Sequence, residues 1–294
     1  REDANYPASL QTLTDAPALL YVKGSLPGGV VRVAVVGSRR ATAYGRRVAS
    51  GLGAGLALRG VEVVSGGARG IDTCAHLGAL GSNGKTVAVL GSGFGDLYPP
   101  ENTELFDRIA ESGAVVTEFP LDAAPKGEHF PRRNRLIAGL SAAVVVVEAA
   151  PRSGSLITAA HALEQGREVM AVPGPVSSEQ SAGCHRLIQQ GAKLVHEVAD
   201  VVDELSPMYR AALLPAPATE KPSDPPAQSS ILSPDEAVVL SLLDDPEPVQ
   251  LDVLADRAPF GIARLQVAIF GLLVRGVVEQ LPGRYYLARL RRGA

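Results

Sequence analysis

Tryptophan is absent from this chain and aromatic residues make up only 4% of it, so any base stacking must rest on a few positions. There are only two cysteines, Cys74 and Cys184. They lie too far apart for a C-x-x-C metal or redox motif and read as reduced, small apolar residues. The longest apolar runs, such as Ala142 to Val147, fall far short of the roughly 20 residues of a membrane helix, and no signal-peptide pattern opens the sequence. A cytoplasmic protein without membrane contact is expected. Neither sign of charge dominates: 28 Lys and Arg against 31 Asp and Glu leave a net charge of −3. That excludes coating a nucleic acid by bulk electrostatics, so local clusters must carry any such binding. What the chain does have is apolar material. Hydrophobic residues are 46% of 294, enough for one large domain or for a large and a small one.

From Val30 to Val195, strand-like apolar runs alternate with helical spacing. The runs are Val31 to Val36, Val61 to Ser65, Thr86 to Leu90, Ala114 to Thr117, Ala142 to Val147 and Glu168 to Val172. Between them, Tyr44 to Leu58, Ile71 to Leu80, Thr103 to Glu111, Arg133 to Leu140 and Leu156 to Gln165 carry the helical pattern. This alternation predicts an α/β fold, a Rossmann-like doubly wound, mostly parallel sheet. Residues 1–29 form an N-terminal appendage ahead of a sheet domain at 30–205. A Pro-rich linker follows at 206–230, and 231–294 show three short helices closed by a hairpin, a small winged-helix-like domain.

In such sheets ligands bind beyond the carboxyl ends of the strands. The rule puts Gly37-Ser38-Arg39, Gly66 to Gly70, Gly91-Ser92-Gly93 and Pro151 to Ser155 on one rim. The valine run Val144 to Val147 is followed by Ser153-Gly154-Ser155, small residues that open a helix with its backbone N–H groups exposed, an anion-binding construction. Just upstream, Arg132, Arg133 and Arg135 flank Asn134 and supply forked donors suited to phosphate. Some of these arginines serve the fold, because Arg133, Asn134 and Arg135 open a helix whose apolar face must be fixed against the sheet. Arg39 and Arg69 each stand one step beyond a strand in a glycine-containing turn where backbone amides also reach a phosphate. The structural alternative is an arginine that caps carbonyls or pairs with an acid such as Asp72. Lys126, in a loop stiffened by Pro125 and Pro131, has Phe130 nearby, a charge beside a stacking platform.

Two glycine-rich stretches are false leads. Gly84-Lys85-Thr86 ends like a P-loop, but Ala79 stands where its first glycine belongs, with a helix before it and a strand after it. Gly91-Ser92-Gly93-Phe94-Gly95-Asp96 lacks the last glycine of a dinucleotide fingerprint. Asp72 and His76, four apart on a helix, share a face but lack a third partner. The simpler reading is that Asp72 caps the helix and His76 is a packing residue.

In order along the chain, Tyr6-Pro7, Leu20 to Gly24, Val35 to Arg39, Gly70-Ile71-Asp72 with Ala75-His76, and Val87 to Gly91 form one series. Tyr98-Pro99 with Asn102, Phe130-Pro131 with Arg133 to Leu140, Ser153 to Ala159, Ala171 to Gly174, and Leu187-Ile188 with Gly191-Ala192 continue it. Together they resemble the family of DNA-processing protein A (DprA, also called Smf) across residues 6–195, and the last module resembles that family's winged-helix domain. Two departures stand out: Gly67 in place of the usual Leu, which would loosen the rim loop, and Cys184-His185 in place of a Thr-Asn-like pair. The resemblance implies a Rossmann-like protein without known catalysis and without a cofactor or metal. By the same resemblance it is expected to bind single-stranded DNA, form a homodimer and help load the RecA recombinase in natural transformation and recombination. By motif position it implies DNA contacts at Gly37, Ser38, Arg39, Lys126 and Phe130. Arg69, Arg133, Asn134, Ser153, Gly154 and Ser155 are their companions.

The rival class is a nucleotide-processing Rossmann enzyme of the phosphoribohydrolase type. Those enzymes carry a Pro-Gly-Gly-x-Gly-Thr-x-x-Glu loop, and Pro151 to Ala159 lacks the catalytic acid at the matching place. In the C-terminal module the helix Ile262 to Arg275 offers Arg264, Gln266 and Arg275 to DNA, thin for duplex affinity, and the tail adds Arg284, Arg289, Arg291 and Arg292.

Overall fold

A run that is apolar at most positions can be buried on both faces, and six such runs, with polar residues only at their ends, form the centre of the sheet in a computed structural model that describes residues 6–215, 233–243, 248–274, 277–281 and 285–288. The chain divides into two compact units, Arg1–Thr219 and Glu220–Ala294. The first begins with α1 (Ala8–Gln11), β1 (Tyr21–Gly24), β2 (Arg32–Val36), α2 (Ala43–Leu58), β3 (Glu62–Ser65), α3 (Ile71–Gly81) and β4 (Thr86–Val89). It continues with α4 (Thr103–Ser112), β5 (Ala114–Thr117), α5 (His129–Gly139), β6 (Ala143–Val146), α6 (Gly154–Glu164) and β7 (Glu168–Ala171). The last elements are α7 (Ala182–Gln189), β8 (Lys193–Leu194), α8 (Val198–Glu204) and α9 (Pro207–Ala211). Eight strands lie in the order β1-β5-β4-β3-β2-β6-β7-β8, parallel throughout except for β1, which runs antiparallel to β5.

Alternation along each strand divides the core into two layers. Ala34, Val36, Val144 and Val146 face a layer with Leu136, Ala138, Ala159 and Leu187 of α5, α6 and α7. Val33, Val35, Val145 and Val147 face Leu52, Leu56, Ile71 and Val201 of α2, α3 and α8. Each such valine is fully buried, worth about 1.5–3 kcal/mol by transfer. The doubly wound sheet is therefore the one expected, with additions at both edges. Tyr21–Gly24 leaves the N-terminal appendage to pair with β5, Lys23 opposite Val115. The two-residue β8 closes the other edge against β7. Past residue 206, Leu214 exchanges hydrogen bonds with Arg59, its N–H to Arg59 O at 2.9 Å and its carbonyl accepting from Arg59 Nε at 2.8 Å.

The second unit contains α10 (Pro234–Leu242), β9 (Val249–Gln250), α11 (Leu251–Arg257), α12 (Ile262–Val274), β10 (Val278–Leu281) and β11 (Tyr285–Ala288). Ser233 and Glu236 close a capping box at the start of α10, and Val239, Leu254, Leu265 and Leu272 fill the core. The strands form an antiparallel sheet in the order β10-β11-β9, three helices with a winged sheet. Residues 282–284 of the expected hairpin, most of the Pro-rich segment, Arg275, Arg289, Arg291 and Arg292 lie outside the described residues.

Candidate functional site

The strand order reverses direction between β2 and β6, and the crevice beyond their carboxyl ends is where a doubly wound sheet offers a ligand the loops of both halves. A cleft of about 870 Å³ opens there. Its walls are the loop after β2, the first turns of α5, the loop into α6 and the short segment Glu179-Gln180.

Ser38 is buried at the base of the β2 loop. Its N–H donates to Glu148 O at 2.7 Å, and its hydroxyl donates to Gln180 Oε1 at 2.8 Å while accepting from Arg40 N–H at 3.1 Å. Those bonds leave Arg39 and Arg40 exposed at the turn. The Arg39 guanidinium stands 5.1 Å from the centroid of the Phe130 ring, a cation–π geometry. Phe130 is half-buried and also meets Tyr98, the ring centroids 5.5 Å apart.

Helix α5 begins at His129, not at Arg133 as the sequence pattern predicts, so Phe130 and Pro131 belong to its first turn. Proline is tolerated there because first-turn N–H groups have no helical acceptor. The shift matters for Arg133, which lands one turn inside. It is buried, donates to Gly66 O at 2.8 Å and to Val89 O, and so ties together the ends of β3 and β4. Burial pulls its guanidinium down to about 10, with the nearby Asp72 charge opposing the shift and Arg39 adding to it. Arg135 is likewise engaged, its Nη2 at 2.7 Å from buried Glu118. Asn134 donates to Gly154 O at 3.1 Å and joins α5 to the N-terminus of α6. There Ser153 is the N-cap, its hydroxyl 2.8 Å from Ser155 Oγ, and Gly154 and Ser155 line the cleft.

Gly37, Ser38, Arg39, Phe130, Arg133, Asn134, Ser153, Gly154 and Ser155 thus come together around one cleft. Arg69 and Lys126 are not among the residues lining it. Lys126 is exposed, and its carbonyl accepts from His129 N–H. Arg69 is held by Glu101, whose carboxylate accepts from both Nε and Nη2, and lies 5.6 Å from the Tyr98 ring. Its acid partner is therefore Glu101, not Asp72. Asp72 does not cap α3 either: its Oδ2 reaches back to the N–H groups of Gly66 at 3.1 Å and Ala68 at 3.3 Å. Burial raises its carboxyl above the usual range, against the opposing charge of Arg133. His76 packs as expected, fully buried with Nδ1 at 2.7 Å from Thr86 Oγ1.

The sequence reading passed over Arg40, Arg152, Gln180 and Glu148. Arg40 stands next to a residue the strand-end rule selects, and Arg152 lies inside the Pro151 to Ser155 segment that the rule places on the rim. Gln180 and Glu148 give no local signal, since their partners lie over a hundred residues away. Of the departures, Gly67 adopts φ +66°, and a Cβ there would collide with the Phe106 ring, so the loop is close-packed rather than loosened. Cys184 is buried with Sγ 3.6 Å from Val146 O, and His185 Nε2 sits 3.0 Å from Gly174 O.

Residues 1–206 match the family described as DNA recombination-mediator protein A, and 221–284 match the DprA winged helix domain. The chain belongs to the DNA recombination-mediator protein A family. Protein Smf of Escherichia coli is 43% identical over 289 residues, 98% of this chain and 75% of the relative. Curated relatives of this family are spanned over 65% to 79% of their length. DNA processing protein A of Streptococcus pneumoniae has a similar structure, with a TM-score of 0.66 at 45% identity over 69% of this chain and 72% of that one. The Helicobacter pylori protein, described for its single-stranded DNA binding mode, gives a TM-score of 0.62 at 29% identity over 68% of this chain and 92% of that one. Family membership accounts for the ordered motifs along the sheet unit and for the winged-helix unit after it.

Proposed function

We propose that the cleft at the β2–β6 switch binds single-stranded DNA by its backbone, without turnover, as part of recombination and natural transformation. The observation that carries this reading is the stacking of Arg39 on Phe130, facing the N-terminus of α6. One wall offers cations and a ring, the other offers backbone N–H groups. A strand whose phosphates run between them can lay a base on Phe130 at any sequence, because every base has a π-face. The Helicobacter pylori neighbour, described for single-stranded DNA, supports the same class of ligand. The reading includes a cytoplasmic homodimer that hands the coated strand to the RecA recombinase.

Fluorescence anisotropy with oligo-dT, the matching duplex and an RNA of equal length, each across a salt series, tests it. The expected result is tight binding of oligo-dT with a linear fall of log affinity against log salt. Preference for duplex would overturn it. Incubation with nucleoside monophosphates addresses the enzymatic rival: released base would favour a phosphoribohydrolase, and intact nucleotide is expected.

A further inference from the structure

Two helix N-termini converge at the switch point, and they differ in what occupies them. The α6 terminus opens into the cleft. The α2 terminus carries a side chain of the protein itself. Glu148, one residue past the end of the β6 valine run, is buried, and its carboxylate accepts from Thr42 N–H at 2.9 Å and from the Thr42 hydroxyl. Thr42 is the N-cap of α2, a helix of 16 residues, where unpaired N–H groups and the helix dipole favour an anion.

Two features show that the carboxylate was given room. A Cβ on Gly45 would collide with its Cδ and both oxygens, so the helix backbone approaches this anion as glycine lets a dinucleotide fingerprint approach a pyrophosphate. Glu148 also adopts φ +70°, a conformation non-glycine side chains take only at a cost. In this backbone geometry its carbonyl accepts from Ser38 N–H at 2.7 Å while its carboxylate reaches Thr42. One residue therefore pins both ends of the loop that presents Arg39 and Arg40.

We infer that Glu148 is a positioning and specificity residue. Its carboxylate fills the phosphate seat at the α2 N-terminus, holds the Arg39 loop, and directs a DNA phosphate to the α6 side of the cleft. The binding consequence rests on the proposed single-strand reading; occupancy of the seat does not.

The test is Glu148→Ala in the full chain, with formate as a detached carboxylate. Circular dichroism should show a folded variant, oligo-dT affinity should fall about tenfold as the loop loses its preorganisation, and formate at constant ionic strength should restore most of it. Wild-type affinity should not respond to formate. Unchanged binding in the variant, or a folded, weakened variant that formate leaves unmoved, would overturn the inference. If Glu148→Ala does not fold, Glu148→Gln keeps an acceptor for Thr42 N–H and loses the charge. It should fold and bind oligo-dT more weakly, and wild-type affinity would overturn the inference. Should the wild-type protein itself fail to bind oligo-dT, the functional reading falls. The seat is then still read by thermal denaturation, where formate should raise the midpoint of Glu148→Ala and leave the wild type unchanged.

Discussion

Arg39 and Arg133 both approach the Phe130 ring, at 5.1 and 6.0 Å, yet only one of them is free to meet a phosphate. Arg133 spends its donors on Gly66 O and Val89 O inside the protein, whereas Arg39 is exposed at the turn. Their alanine variants should therefore fail differently. Arg39→Ala should stay as stable as wild type and reduce the salt slope for oligo-dT by about 0.7, one phosphate contact on a single strand. An unchanged slope would remove Arg39 from the interface. Arg133→Ala leaves the Gly66 and Val89 carbonyls without their buried donor and should cost about 1–3 kcal/mol for each in urea denaturation. Phe130→Ala should lose on the order of 1–3 kcal/mol of binding with the fold retained; unfolding would identify the ring as core. This distinction between arginines was only half legible in the sequence. That some of the run served the fold followed from the helix it opens, but which one depended on where α5 starts. Pro131 in the first turn hid that start. Arg69 stood beyond a strand as the rim rule requires, and its partner Glu101, 32 residues on, could not be seen from Gly66 to Gly70.

Elements were legible in proportion to their burial. The six central strands are apolar at nearly every position because helices cover both faces, and their runs stand out within one or two residues of the observed ends. The edges did not announce themselves: only Tyr21 of β1 is half-buried, the rest being exposed, and β8 is two exposed residues. A consequence of central burial is a pH dependence set by the packing of α3 on β4. The Thr86 hydroxyl donates to Val63 O, so His76 donates to it from Nδ1, and burial, reinforced by the Arg133 charge, lowers the imidazole to about 3. Between that value and about 6.5 in the unfolded chain, the unfolded state binds more protons. The stability due to neutral His76 is therefore complete above about pH 6.5 and is lost as the pH falls toward 3. From pH 7 to pH 5 the loss should be roughly 2 kcal/mol. Urea denaturation of His76→Leu at the two pH values should show a difference smaller than wild type by that amount. Equal differences would place the titration elsewhere.

For the whole molecule, the division into a sheet unit and a winged-helix unit was visible as a change from strand–helix alternation to a Pro-rich stretch and then short helices. The family match to both units follows the same division. What sequence left open was which unit reads DNA, and the surface of α12 bears on it. Arg264 is tied to Asp235 by two hydrogen bonds at 2.9 and 2.7 Å, and Val267 and Phe270, three apart on the same helix, are 73% and 67% exposed. A helix that enters a major groove needs polar side chains free to meet base edges and phosphates. Here the described cation is paired, and among the described residues of α12 the other exposed polar side chain, beside Val267 and Phe270, is Gln266, without a charge to meet a phosphate. The sheet unit, in contrast, presents Arg39, Arg40 and Arg152 at its cleft. A truncated protein ending at Thr219, where the first compact unit ends, should bind oligo-dT with the salt slope of the full chain and an affinity within about threefold of it, a difference of less than 1 kcal/mol. Residues 220–294 alone should bind neither single strands nor duplex above the nonspecific level. A tenfold loss in the truncated protein, at equal oligomeric state by analytical ultracentrifugation, would assign part of the interface to the winged-helix unit. Its untested basic tail would then be the next segment to mutate, because α12 presents no free cation among its described residues.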